Sequence, residues 1–319
     1  MHCALPANYY LCCVFRSSNK KWGCAMKTID RRTALTLLGG AIGGAAASGI
    51  STATADSHVN PGSYPDPNTV DGLYNIHRKL QFSFDDRLVY WYLRMMRYGL
   101  VNSAFTPLWD IHTAFLAVTE NTKDGFQARM MSATFYTDIK SGRLLKEFDN
   151  PYTGERVSVR QPGLNRFSRD YNQLGLVTPL PKAVVAERLG MPMTQFGNVG
   201  PAWIIGDDIW CRGDTGLRAE PTKTQRNIVQ VNDWSTFHGS ISEVANPNVT
   251  SANATQTFND INTWPDWLNM ADHPGNYVSR GFGRKSWSID GMPQEWRAIM
   301  RDQYPRELAD PRAYILGAT

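Results

Sequence analysis

Two adjacent carboxylates, Asp207 and Asp208, stand in the otherwise apolar run WIIGDDIW. Side chains alternate along a strand, so one of the pair would turn inward. An inward carboxylate among Trp203, Ile205 and Ile209 has its pKa raised by desolvation and can act as a general acid or base. The plainer alternatives are a bulge at Gly206 or an ion pair with Arg212. His112 and His238 fall within or at the ends of predicted strands and complete the candidate catalytic set of Asp208, His238, Asp207 and His112. With His77 they make three imidazoles that could hold a metal. No H-x-H or H-x-x-E-H spacing is present, so no metal ligand is assigned. Cys211 has no base partner visible in the sequence, and G-x-S-x-G is absent, so neither a thiol nor a serine nucleophile stands out.

Ligand contacts are sought among the tryptophans. Nine of the ten lie after residue 55, and an indole combines a large apolar body with an N–H that needs a partner. Trp91, Trp203, Trp210 and Trp234 are the candidate ligand-binding residues. Core packing is the competing role for most tryptophans. Arg284, in RGFGRK, could meet an anionic group of a ligand, with a structural ion pair as the alternative. NTWPDWLNM, with Trp264, Trp267 and Met270, would cap a pocket mouth as a loop or seal the end of a barrel as a short helix.

These residues need a scaffold. Val70 to Lys79 is predicted as a short helix. KLQFSF and RLVYWYLRMMRYG read as strands around an Asp85-Asp86 turn, being rich in Val, Tyr and Trp. IHTAFLAVTE follows as a strand. Lys140-Ser141-Gly142 and Asn150-Pro151-Tyr152-Thr153-Gly154 supply turn chemistry for an antiparallel meander. Leu164 to Gly200 is less regular, with a short helix at Lys182–Leu189. AWIIGDDIWCR and NIVQVNDWSTFH are two further strands, and EVANPNVTSANATQTFND reads as a polar loop. YVSRGFGRKSWSI is the last strand, and MPQEWRAIMRDQYP is a helix with Trp296, Ile299 and Met300 on one face. Many short strands without strand–helix alternation predict a mainly β fold. The expected form is an antiparallel barrel or sandwich, lipocalin-like or calycin-like, with few helices and one near the C-terminus.

The N-terminal 55 residues read as a leader outside that fold. Asp30-Arg31-Arg32-Thr33-Ala34-Leu35 is similar to a twin-arginine export motif, with Ala34 where a Phe is usual. Thr33 to Ile50 is a soft apolar run, too rich in Gly, Ser and Thr for a transmembrane helix. Ala53-Thr54-Ala55 predicts cleavage between Ala55 and Asp56. Met26 would make a normal start for such a signal, leaving residues 1–25 untranslated. The leader holds six of the 33 Lys/Arg and one of the 29 acidic residues, leaving 27 basic against 28 acidic in residues 56–319. The overall charge of +4 therefore argues for no nucleic-acid partner. Four of the five cysteines also fall in the leader, so a single β-rich domain over 56–319 must be held by its core.

KLQFSFDDRLVYWY, NPYTG running into TGERVSV, WPDWLNM, and GFGRKSW followed by a helix and YP occur in that order. In this the chain resembles the family known as domain of unknown function 1838. The resemblance implies a shared fold, fits members that look exported, and assigns no catalytic residue or cofactor. The resulting expectation is a periplasmic or secreted protein delivered by the twin-arginine machinery, with no membrane anchor after cleavage. It would bind a small apolar or aromatic ligand in a Trp-rich β-barrel. The alternative is a cofactor-free or metal-dependent enzyme, of isomerase, cyclase or hydrolase type, using a buried Asp/His pair.

Overall fold

The computed structural model describes residues 65–172, 175–177, 193–219, 229–270 and 273–317. The predicted leader, with Arg31, Arg32 and the Ala55–Asp56 site, and the helix expected at Lys182–Leu189 lie outside the described residues. The fold is mainly antiparallel β, as expected. One ten-stranded sheet curls into a half-barrel. In chain order the strands are β1 (Val89–Val101), β2 (Ala104–Thr122), β3 (Gly125–Thr137), β4 (Glu147–Asp149), β5 (Arg156–Ser158), β6 (Gly163–Asn172), β7 (Gly175–Val177), β8 (Met193–Ile205), β9 (Asp208–Ala219), β10 (Val229–Ser240), β11 (Thr255–Asn262) and β12 (Asn276–Ser286). The sheet runs β7-β6-β3-β2-β1-β12-β11-β10-β9-β8, and β4 and β5 form a separate hairpin. Because β1 pairs with β12, chain-distant segments meet at the middle of the sheet.

Alternation along β1 divides two cores. Val89, Trp91, Leu93 and Met95 face inward with Trp109, Ile111, Phe237 and Cys211. Tyr90 and Tyr92 face outward with Ala114, Leu116, Ala133 and Phe135. Helix α1 (Val70–Gln81) fills the inner face. Thr69 caps it by accepting from the Gly72 amide at 3.1 Å, and Ile76 and Leu80, one turn apart, are fully buried in the inner core. Past the short α2 (Ile241–Ala245), the chain ends in α3 (Gln294–Gln303), α4 (Pro305–Ala309) and α5 (Pro311–Leu316). Trp296, Met300 and Ile315 from these C-terminal helices cover the outer face of β1–β3. The Trp296 indole donates to the Ala133 carbonyl at 3.0 Å.

The structure corrects several local expectations. KLQFSF is not a strand: Lys79-Leu80-Gln81 finish α1, because the cap and the buried Ile76/Leu80 stripe carry the helix through them. WIIGDDIW is not one strand either. Ile205 pairs with Asp208 around a two-residue Gly206-Asp207 turn, with Gly206 at φ 62°. Gly-Asp is a hairpin signal in its own right. The segment read as a polar loop holds α2 and β11. β11 lacks an apolar face because Gln256, Asp260 and Asn262 point inward and are buried. Leu164–Gly200 contains β6 and most of β8. At one end the Asn150 side chain donates to the Leu268 carbonyl at 2.7 Å, and Trp267 packs on Trp109 at 5.4 Å, so WPDWLNM packs down onto the inner core.

Candidate functional site

Polar residues gather on the inner face, where the pattern along each strand calls for apolar ones. Arg97 on β1 and Asp260 on β11 form an ion pair at 2.9 Å, with both side chains almost completely buried. Asp260 also accepts from the Ser279 amide, and the Arg97 guanidinium lies 4.1 Å over the Tyr277 ring. Register then places Asp233 of β10 directly opposite Asp260 on one side and Thr215 of β9 on the other. The Thr215 hydroxyl donates to Asp233 at 3.3 Å. Burial, then the facing Asp260 carboxylate, pushes the Asp233 carboxyl up to about 7, against the pull of Arg169, Thr215 and Arg97. Two like charges on neighbouring strands resist joint ionisation, and the one without a contact cation holds its proton longer.

His77, on α1, sits in an aromatic box of Phe82, Tyr171 and Phe237, with ring centres 5.4 to 5.9 Å away. Burial, reinforced by Arg169 and Lys285, lowers its pKa to about 3. It is therefore a neutral imidazole across the physiological range. Its Nδ1 has no hydrogen-bond partner, nor does Nε of Arg169. A Cβ at Gly213 would come within 3.2 Å of His77 Nε2 and of Phe237, so a methyl here would press on both rings.

Of these groups His77, Arg169, Thr215 and Asp233 line a cavity of ≈ 60 Å³, and the Arg97–Asp260 pair lies outside its lining. The polar part of the lining comprises His77, Arg169, Thr215 and Asp233 together with the neutral Gln81, Asn198, Ser235 and Gln256. Its apolar wall includes Phe82, Trp91, Phe115, Phe237 and Phe258. The Trp91 indole is locked in that wall by donating to the Gln81 carbonyl at 2.8 Å. At roughly 10–15 Å³ per water, the space holds about four waters or an equally compact ligand. The cavity thus offers a cation, a carboxyl that titrates near neutrality and a neutral imidazole against an aromatic surface. Such a set can bind a small polar-headed molecule and can exchange a proton with it.

The residues singled out from the sequence are distributed differently. Asp208 and His238 do meet, Oδ1 to Nε2 at 2.9 Å, but on the outer face with side chains 56% and 38% exposed. Trp210 stacks on His238 there at 4.8 Å. Asp207, in the turn, accepts from the Ser240 hydroxyl and the Ser242 amide at the start of α2. Its inward placement, and that of Asp208, fail because the turn replaces the strand on which alternation would have acted. His112 is buried on the outer face, with Nδ1 2.6 Å from the Tyr92 hydroxyl. Burial, then Arg94, lowers its pKa. His77, His112 and His238 therefore do not converge. Among the described residues no three metal-ligating side chains form a cluster. Of the ligand candidates, Trp91 lines the cavity, whereas Trp203, Trp210, Trp234 and Arg284 belong to the outer face, with Trp203, Trp234 and Arg284 exposed. Cys211 is a buried core thiol, pushed up to about 12 by burial.

Asp233, Asp260, Arg97 and Arg169 are absent from the sequence-based set. The available signal was polar residues at alternate positions, Asp233/Ser235 and Asp260/Asn262, within segments of strand length. Lys285, beside Arg284, turns inward instead. Its ammonium contacts the Lys79, Phe82 and Ala252 carbonyls and the Ser251 hydroxyl within 3.1 Å, tying the end of α1 to the loop before β11. Burial holds it well below the usual lysine range.

The family described as "Protein of unknown function (DUF1838)" matches residues 112–315, well over half of the chain. No curated protein and no solved structure matches it.

Proposed function

The chain belongs to this family, whose description assigns no activity, and we propose from the cavity that it is a small-molecule-binding protein with its ligand inside the curled sheet. The observation that carries this reading is the cavity itself: an aromatic wall closing on His77, Arg169 and Asp233. Structural interiors pair their polar atoms. Here His77 Nδ1 and Arg169 Nε, atoms of two residues that line the cavity, are left without partners. The volume narrows the ligand. It favours a compact molecule of a few heavy atoms over the apolar or aromatic ligand expected from the tryptophan content. The export signal read at Arg31 and Arg32 would deliver such a binder folded to the periplasm.

A second reading follows from Asp233. A carboxyl titrating near 7 suits general acid–base work, so an enzyme acting on the same compact ligand is the alternative. It moves the acid–base role from Asp208 and His238 to Asp233 and His77.

The test uses three-carbon probes: propionate, propionamide, 1-propanol and propylammonium. Each is titrated into the folded protein while tryptophan emission and melting temperature are followed. At least one should give a saturable change. Ala117→Leu, which projects extra carbons into the cavity from β2, should weaken that change at least tenfold. Absence of saturation with every probe, or unchanged binding in the filled variant, refutes the reading.

A further inference from the structure

Resting on that binding reading, we propose that the cavity takes a small organic carboxylate together with one proton, the carboxylate lying between Arg169 and Asp233. The charges inside the sheet fall into two groups. Arg97 and Asp260 already form a closed pair. The Lys285 ammonium is occupied by three carbonyls and a hydroxyl. His77 is neutral. Arg169 and Asp233 remain. They line the same cavity and feel one another electrostatically, yet no salt bridge joins them among the described residues. Tyr171, whose hydroxyl takes a hydrogen bond from Arg169, and His77 are the other ionisable groups that feel Arg169, and the guanidinium lies 5.3 Å over the Phe167 ring; none of these supplies an anion.

Arg169 is half-buried, and a guanidinium partly withdrawn from water favours an anion whose carboxylate matches its planar fork. Asp233 does not supply that anion while it carries a proton. Facing it are Asp260 from β11, Thr215 from β9, Arg97 from β1, Arg169 from β6 and Tyr277 from β12, whose phenol stays neutral because burial pushes it far up. With Asp233 protonated, the cavity holds one surplus positive charge. A ligand carboxylate restores neutrality, pairing with Arg169 and accepting the Asp233 proton as a hydrogen bond. With Asp233 ionised, the same ligand brings two carboxylates together and must take up one proton from solvent. That proton is shared between the two carboxyl groups, and the composition of the complex is the same whichever oxygen carries it. The aromatic wall receives the short alkyl end, and the volume admits only a few carbons.

The experiment is a calorimetric titration of the folded chain with propionate and with propionamide, its neutral isostere, between pH 5.5 and 8.5. Two buffers of different ionisation heat report the proton count. Propionate should bind more tightly than propionamide at pH 6. Its affinity should fall about tenfold per pH unit above the Asp233 titration, with uptake approaching one proton per ligand at pH 8. Asp233→Asn should bind propionate with a flat pH profile. Arg169→Gln should lose propionate while retaining propionamide, which also shows that its cavity is folded. Equal binding of propionamide and propionate overturns the anion proposal and leaves the binding reading standing. Propionate binding at pH 8 without proton uptake overturns the coupling. Binding of none of the probes overturns both readings.

Discussion

Replacing Asp233 by Asn should stabilise the protein, and the gain should depend on pH in a defined way. In the folded chain burial and Asp260 push this carboxyl from its ordinary 3.8 up to about 7. The folded state therefore holds a proton that the unfolded chain has released between those two values. Stability attributable to this group is fully present below about pH 4 and declines as pH rises through 7, where the folded carboxyl finally ionises. At 1.36 kcal/mol per pKa unit, the loss is about 2 kcal/mol by pH 5.5 and about 4 kcal/mol from pH 7 upward. Asparagine is close in shape to the protonated acid and cannot ionise. The variant should match wild type near pH 4 and exceed it by a margin that grows to about 4 kcal/mol at pH 7 to 8. Urea unfolding followed by tryptophan fluorescence at pH 4.5, 5.5, 7 and 8 measures the difference directly, and other titrating groups cancel between the two proteins. A variant destabilised by the same amount at every pH would refute the reasoning. It would mean that the carboxylate is held by its neighbours rather than strained by them.

Two further outcomes follow from the charges around the sheet. Arg97→Met should cost about 3–5 kcal/mol because it leaves Asp260 buried without its cation, and adding Asp260→Asn should recover most of that loss in the same urea assay. If the double variant is no more stable than the single one, the pair is not what the site depends on. His238→Ala should change stability by no more than about 1 kcal/mol, since its pair with Asp208 is solvent-exposed, and propionate titrations should be unaffected. A loss of binding in that variant would move the site to the outer face.

The fold class was legible because most strands carry a side chain pattern with a single physical cause. Val89, Trp91, Leu93 and Met95 alternate with polar or tyrosine neighbours, and that alternation is what a two-faced strand requires. The C-terminal helix was equally plain from Trp296, Ile299 and Met300. β11 was illegible for the converse reason. Three of its four inward residues, Gln256, Asp260 and Asn262, are polar and only Phe258 is apolar, so little local pattern separates it from a loop. The Gly206-Asp207 turn was hidden by the apolar residues on both sides, although the dipeptide itself favours a hairpin. Asp208 and His238, two of the four candidate acid–base residues, do meet in space, but the face they share is the exposed one.

Sequence alone determined that the chain would be mainly strand, with most of the strands and the C-terminal helix placed by local periodicity. It could not determine which acids and bases share an interior. Asp233 and Asp260 lie 27 positions apart, Arg97 and Asp260 163, and Asp233 and Arg169 belong to different halves of the sheet. Strand order and register bring them together: the β10–β11 register sets the two carboxylates opposite each other, and the pairing of β12 with β1, which no local pattern records, joins the half of the sheet that carries Arg97 and Arg169. Together these pairings decide the chemistry. Burial and an opposing carboxylate act on Asp233 only once both strands are in place, so its proton affinity is a property of the tertiary structure.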